Sequence, residues 1–125
     1  MQVLVVDDSA AVRSRLAEML LGIKGVERVG TADSPAAAFG AIREEPPHVV
    51  VLDIQMPGGS GLEVLRAVRR AGLQAVVIVL TNYATPRYRE ICLSEGADFF
   101  FDKTAEFKQV GEVVGRLARA AGTRP

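Results

Sequence analysis

Apolar residues along this chain fall into short unbroken runs, and between the runs they recur every three or four positions. Val3-Leu4-Val5-Val6 is the first run. Continuous rather than alternating hydrophobicity predicts a strand buried on both faces. Val12, Leu16, Met19, Leu20 and Ile23 follow at the spacing of one helical face. Residues 26–32 form a weaker strand. Ser34-Pro35 then supplies an N-cap with proline at the first helical position, and the helix it opens carries Ala38, Phe39 and Ile42 until Pro46-Pro47 stops it. Val49-Val50-Val51-Leu52 is a third strand, and Ser60-Gly61-Leu62-Glu63 reads as a capping box for a helix with Leu62, Leu65 and Val68 inward. Residues 75–80 predict the fourth strand, Thr85-Pro86 caps the next helix, and Phe99-Phe100-Phe101 is the fifth strand. Val110, Val113, Val114 and Leu117 mark the last helix at i, i+3, i+4, i+7.

Five strand–helix units in 125 residues, about 25 residues each, predict an α/β fold. Its sheet is parallel and doubly wound, with helices on both faces. No linker, low-complexity run or second domain interrupts the pattern, so a single domain over residues 1–125 is expected.

Composition narrows the function classes. Apolar residues at 49% and charged residues at 24% suit a packed core. Fifteen Lys+Arg against fifteen Asp+Glu give a net charge of zero, which argues against a whole-surface grip on nucleic acid or anionic membrane. One cysteine excludes an internal disulfide and a zinc site built from two or more cysteines. The longest apolar run, residues 75–80, is far short of a membrane span. No cationic side chain precedes Arg13, and Asp7-Asp8 cut the first apolar run, so no signal peptide is visible. A soluble, cytoplasmic protein is expected.

The unusual polar residues sit at one place in this layout. Asp7 and Asp8 follow the first strand, Asp53 the third, Thr81 the fourth and Lys103 the fifth. In an open parallel sheet, ligands bind in the crevice beyond the carboxyl ends of the strands. Three carboxylates gathered there repel one another, and raised, coupled pKa values or a hard cation would relieve them. An oxygen-only donor set suits Mg²⁺, which keeps several waters and accepts a phosphate oxygen. Lys103 adds a cation and Thr81 a hydroxyl donor, together complementing an incoming phosphoryl group. A carboxylate is itself a competent nucleophile for forming an aspartyl-phosphate. A single Asp after a strand is about as often a helix cap or turn residue. The conjunction across four of the five strand ends favours chemistry.

These residues also carry a resemblance. Val3-Leu4-Val5-Val6-Asp7-Asp8-Ser9, Val49-Val50-Val51-Leu52-Asp53-Ile54-Gln55-Met56-Pro57, Gly61-Leu62-Glu63-Val64-Leu65, Val79-Leu80-Thr81 and Gly96-Ala97-Asp98-Phe99-Phe100-Phe101-Asp102-Lys103 together resemble the receiver domain of two-component response regulators. The match runs from residue 2 to about residue 120. It implies a (βα)5 flavodoxin-like fold with strand order 2-1-3-4-5, which makes the first and third strands neighbours. It implies that Asp53 is the phosphoacceptor, that Asp8 and Asp53 ligate Mg²⁺ directly, that Asp7 acts mainly through water, and that the Gln55 backbone carbonyl completes the protein ligands. Thr81 and Lys103 would contact the phosphoryl oxygens. Phe100 would be the aromatic switch, its ring turning inward as Thr81 moves toward the phosphate.

Departures from the family pattern are local. Thr104 replaces the usual proline after the lysine and is expected to cap the last helix. Asn82 stands where a small residue is usual, and with Gln55 and Tyr83 occupies positions where the family tunes phosphate lifetime. A lifetime longer than that of the fastest family members is expected. Gly58-Gly59-Ser60-Gly61 lacks the Gly-Lys-Ser/Thr ending of a phosphate loop and reads as a flexible turn. His48 is expected as a solvated surface residue, and Cys92 as a small core residue on one face with Tyr88 and Ile91. Arg116, Arg119 and Arg124 form a weak basic tail read as a solvated face. Phe100 points opposite to Phe99 and Phe101 because strand side chains alternate.

The first functional reading is a phospho-acceptor switch, not an enzyme in its own right beyond promoting its own phosphorylation and dephosphorylation. Its partners would be a sensor histidine kinase or phosphotransfer protein and a downstream protein reading the fourth helix, fifth strand and fifth helix, through residues such as Arg87, Tyr88, Arg89, Lys108 and Glu112. No direct nucleic-acid or membrane binding is expected, and a homodimer is open. An alternative is a small Mg²⁺-dependent phosphatase with Asp53 as nucleophile, against which stands the lack of a substrate-recognition insertion. A flavodoxin-like FMN protein is disfavoured because Asp7-Asp8 would repel the phosphate.

Overall fold

A computed structural model describes residues 1–57 and 59–122 of the chain. Five strands form one parallel sheet: β1 Gln2–Val6, β2 Arg28–Ala32, β3 Val49–Leu52, β4 Val76–Thr81 and β5 Phe99–Asp102. The helices α1 Ala10–Leu21, α2 Pro35–Glu44, α3 Gly61–Arg70, α4 Pro86–Ser94 and α5 Phe107–Gly122 alternate with them. The spatial order is β2-β1-β3-β4-β5, so the expected order 2-1-3-4-5 is the observed one. No helix among the described residues is long and apolar enough to cross a membrane.

Strand side chains alternate between two cores. Leu4, Val6, Val50, Leu52, Val77, Val79 and Phe100 face one side, under Ala38 of α2, Val64, Leu65 and Val68 of α3, and Cys92 of α4. Val3, Val5, Val49, Val51, Ile78 and Leu80 face the other, under Leu16 and Leu20 of α1 and Phe107, Val110, Val113 and Val114 of α5. All four residues of β3 are buried, which is why its run is unbroken by a polar residue. Cys92 is fully buried, and burial pushes its thiol up to about 11, so it behaves as a small apolar residue.

Helix starts follow the hydroxyl side chains. Ser9, Ser34 and Thr85 accept from the N–H groups of Val12, Ala37 and Tyr88, and Ser60 from that of Leu62. Each satisfies a backbone donor left without a partner in the first turn. Helix ends depart from periodicity at α1, which stops at Leu21 with Gly22 as C-cap. Ile23 lies beyond it but still packs against the α1–α5 core.

Three local expectations are corrected. Thr104 does not cap the last helix: α5 begins at Phe107. The Asp102 carboxylate instead accepts from the Thr104 and Ala105 N–H groups at 2.8 and 3.1 Å, an Asx-type turn that uses the intervening residues. No peptide bond among the described residues is cis. The capping box at α3 is half formed, with Ser60 in place but Glu63 exposed and making no bond back to it. The glycine-rich segment is not simply a flexible turn. Gln55–Met56 pairs antiparallel with Gly59–Ser60, and the Ser60 hydroxyl donates to the Ile54 carbonyl at 3.0 Å; Gly58 lies outside the described residues.

This folded-back segment presses Gly61 against β3. A Cβ at Gly61 would collide with the backbone carbonyl of Asp53, and backbone is the one neighbour that does not yield by changing rotamer. Gly61→Ala is expected to destabilise the fold by about 1–3 kcal/mol, the usual cost of overpacking, read as a lower urea midpoint at unchanged slope.

Candidate functional site

Asp7, Asp53 and Lys103 are each the first residue past a parallel strand, and their N–H groups still belong to the ladder. Asp7 donates to the Ala32 carbonyl at 3.0 Å, Asp53 to that of Val6 at 3.0 Å, and Lys103 to that of Thr81 at 2.9 Å. The backbone therefore fixes where these side chains start. Because β1 has β2 on one side and β3 on the other, the order of the strands reverses there, and the crevice opens where Asp7 and Asp53 emerge.

Lys103 Nζ lies 2.7 Å from Asp7 Oδ2 and 2.7 Å from Asp53 Oδ2. The side chains are 3%, 7% and 10% exposed for Asp7, Asp53 and Lys103, so the pairing is little screened. Burial pushes the Lys103 ammonium toward deprotonation. The hydrogen bonds and charges of Asp53 and Asp7 outweigh that, and its pKa ends above the ordinary 10.5. The second oxygens of both carboxylates are held as well: Ser9 N–H donates to Asp7 Oδ1 at 2.9 Å and Gln55 N–H to Asp53 Oδ1 at 3.1 Å.

Asp8 completes the acidic group. It is exposed, and one carboxylate oxygen from each of Asp7, Asp8 and Asp53 lies within 4.8 Å of the others. Three carboxylates against one ammonium leave a formal excess of two negative charges at the mouth. Oxygen donors of this number and hardness fit a small divalent cation and exclude a soft one.

Thr81 and Phe100 stand apart from the carboxylates. Thr81 is fully buried, and its Oγ1 accepts from the Tyr83 N–H at 3.1 Å. Phe100 is 4% exposed, its ring already in the core shared by α2, α3 and α4. Phe99 and Phe101 stack on each other on the opposite face, centroids 6.0 Å apart. Asn82 and Tyr83, the two residues after Thr81, are exposed.

Several contributors were not evident from residue type. Arg13 donates to the Asp7 backbone carbonyl at 2.8 Å; its placement one turn into α1 is the only signal for it. Arg89 is exposed, as expected, and also donates to the Phe100 carbonyl at 3.1 Å with its guanidinium 6.0 Å over that ring. Arg69 binds the carbonyls of Gly96, Leu73 and Ala75 and pairs with Asp98 at 2.9 Å, tying α3 to the turns before β4 and β5. These partners, on other elements of the fold, have no sequence signature. His48 is exposed but not simply solvated, since its Nδ1 accepts the Gln2 N–H at 3.0 Å. Arg116 and Arg119 are exposed as expected, and Arg124 lies outside the described residues.

The fold and this arrangement correspond to a known family. The response regulator receiver domain profile matches residues 3–114, and the chain belongs to that family. A protein-glutamate methylesterase/protein-glutamine glutaminase 2 of Saccharophagus degradans is 36% identical over 129 residues, taking in 97% of this chain and 37% of that protein. Response regulator GacA of Pseudomonas viridiflava is 34% identical over 113 residues, 90% of this chain and 53% of that protein. Among solved structures, the response regulator domain of Thermotoga maritima CheB superposes with a TM-score of 0.81 at 28% identity, covering 100% of this chain and 98% of that one. The chain thus spans between about a third and a half of these curated relatives, 37% and 53% of their lengths, in which the receiver is one part.

The Lys103 clamp sets a pH dependence. A raised lysine pKa contributes stability that is fully present below the unfolded value of 10.5 and is lost as pH rises through the higher folded value. Unfolding free energy should therefore fall above about pH 10.5 in the native protein, and that fall should be smaller in Lys103→Met, as measured by urea unfolding at stepped alkaline pH.

Proposed function

We propose that this chain is a phospho-acceptor switch in which Asp53 takes a phosphoryl group from a sensor histidine kinase or phosphotransfer protein. The observation that carries this reading is Lys103 Nζ held 2.7 Å from carboxylate oxygens of both Asp53 and Asp7, at the switch point of a receiver-family sheet. An Asp53 oxygen attacks phosphorus, the bond from phosphorus to the donor imidazole nitrogen breaks, and the imidazole leaves with a proton from solvent. Lys103 then trades its contact with an Asp53 oxygen for one with a phosphoryl oxygen, remaining paired with Asp7. The Thr81 hydroxyl turns to donate to a second phosphoryl oxygen.

Mg²⁺, held by Asp8, Asp53 and the Gln55 backbone carbonyl and by Asp7 through water, would neutralise the charge gathered on the phosphoryl oxygens. The acidic set fits that role because it has more carboxylates than Lys103 alone neutralises. Phosphorylation then stabilises, rather than creates, the inward arrangement of Phe100, which is already buried here. This is a bias on a pre-existing equilibrium. The surface of α4, β5 and α5 presents the result to a downstream protein, with Arg87, Lys108 and Glu112 exposed on it. We read residues 1–125 as one receiver domain working in the cytoplasm, regulatory rather than enzymatic toward other substrates.

Asp53→Asn should abolish labelling by acetyl phosphate in the presence of Mg²⁺, while chelation should abolish it in the native protein. Label retained on Asp53→Asn would sink the assignment. Asn82 and Tyr83 directly follow Thr81 as exposed, bulky side chains, so Asn82→Ala and Tyr83→Ala should each hasten autodephosphorylation. Unchanged rates in both would remove the long-lifetime reading.

A further inference from the structure

Two positions at the mouth of the pocket are linked by a third residue. Gln55, two residues past Asp53, donates its side-chain Nε2 to the Tyr88 hydroxyl at 3.3 Å. Tyr83, two residues past Thr81, meets the Tyr88 ring edge-on with centroids 6.5 Å apart and an interplanar angle of 69°. Tyr88 is anchored on both sides. Its N–H donates to the α4 cap, Thr85 Oγ1, at 3.2 Å, and its ring packs against the core that holds Phe100. Gln55 and Tyr83 are exposed; unrestrained, a glutamine there would sample its rotamers in solvent.

We propose that Tyr88 is a positioning residue: it holds the Gln55 amide and the Tyr83 ring together as a roof over the phosphoryl pocket, so that the lifetime of the phosphorylated state is set from α4. This rests on the reading of Asp53 as phosphoacceptor. In hydrolysis a water oxygen attacks phosphorus, the bond from phosphorus to the Asp53 oxygen breaks, the carboxylate is regenerated, and inorganic phosphate leaves with the protons of the water shared between it and solvent. A roof of two tethered side chains restricts the approach of that water. The tether joins the pocket to the helix a downstream protein would grip, so a partner that draws Tyr88 away from Gln55 shortens the signal it reads.

Tyr88→Phe isolates the hydroxyl, keeping the ring, its contact with Tyr83 and its packing. The full chain is labelled with radiolabelled acetyl phosphate and Mg²⁺, the donor is removed, and loss of label is followed. Tyr88→Phe should hasten dephosphorylation roughly two- to tenfold, the range one neutral hydrogen bond supplies. Gln55→Ala should do so to a similar extent, and the double variant should be no faster than the faster single one. In the unphosphorylated, metal-free protein, the Gln55 side-chain amide resonances should shift in Tyr88→Phe with no change in unfolding midpoint. An unchanged lifetime in Tyr88→Phe, or rate effects that multiply in the double variant, would overturn the proposal while leaving Asp53 as acceptor. Failure of the native protein to take label at all would overturn the acceptor reading and this proposal with it.

Discussion

Lys103 is paired with carboxylates 96 and 50 residues away in the chain, on two other strands. Two nearly buried carboxylates side by side repel, and each would carry a desolvation cost alone. The single ammonium between them makes their proximity tolerable. It reaches both because β1 and β3 end level with each other while β4 and β5 run two residues further, with the Asp7, Asp53 and Lys103 N–H groups each bonded to the neighbouring strand. A one-residue slip in any of those strands would turn the side chain to the other face. Strand register, electrostatics and candidate chemistry are thus one constraint. The global charge balance of zero conceals it, since the excess of negative charge is confined to one crevice.

The rest of the molecule keeps that crevice rigid on one side and adjustable on the other. Toward β1 and β3, Ser9, Arg13, Gln55 and the close approach of Gly61 bind the Asp7 and Asp53 loops to their own helices. Toward β4 and β5, two contacts come from α4. Tyr88 and Arg89 are neighbours on that helix; one touches the Asp53 loop and the other the Phe100 carbonyl. A shift of α4 is felt at both places without any chain of covalent strain. These are hydrogen bonds at or above 3.1 Å, which break and re-form at small cost. An element that must move is held by such contacts, whereas Arg69, with three carbonyls and a carboxylate, holds elements that must stay.

The five strand–helix units, the two-faced burial and the polar residues at the strand ends were legible because local physics encodes them. A strand covered on both sides cannot carry a polar residue in its middle, so Val49-Val50-Val51-Leu52 announces both its conformation and its burial. Ser34-Pro35 and Thr85-Pro86 announce helix starts because cap and first-turn geometry involve only neighbours. Asp7, Asp8, Asp53, Thr81 and Lys103 stood out because each interrupts the pattern at the same point of a unit.

Where local and tertiary demands competed, the sequence misled. Thr104 had the chemistry of a cap, but it lies in the turn closed by the Asp102 carboxylate, and the helix starts three residues later at Phe107. Ser60 and Glu63 had the spacing of a capping box, but folding Gln55–Met56 back onto Gly59–Ser60 left Glu63 in solvent. The contacts of Arg69, Arg89 and Tyr88 had no sequence signal because their partners lie on other elements of the fold. By itself the sequence determined the five strand–helix units and where charged and hydroxyl side chains interrupt them, since those depend on neighbours within a few positions. Only the tertiary structure decided that one lysine would bridge two aspartates, and which surface side chains would be tethered to the crevice, because both depend on strand order and register.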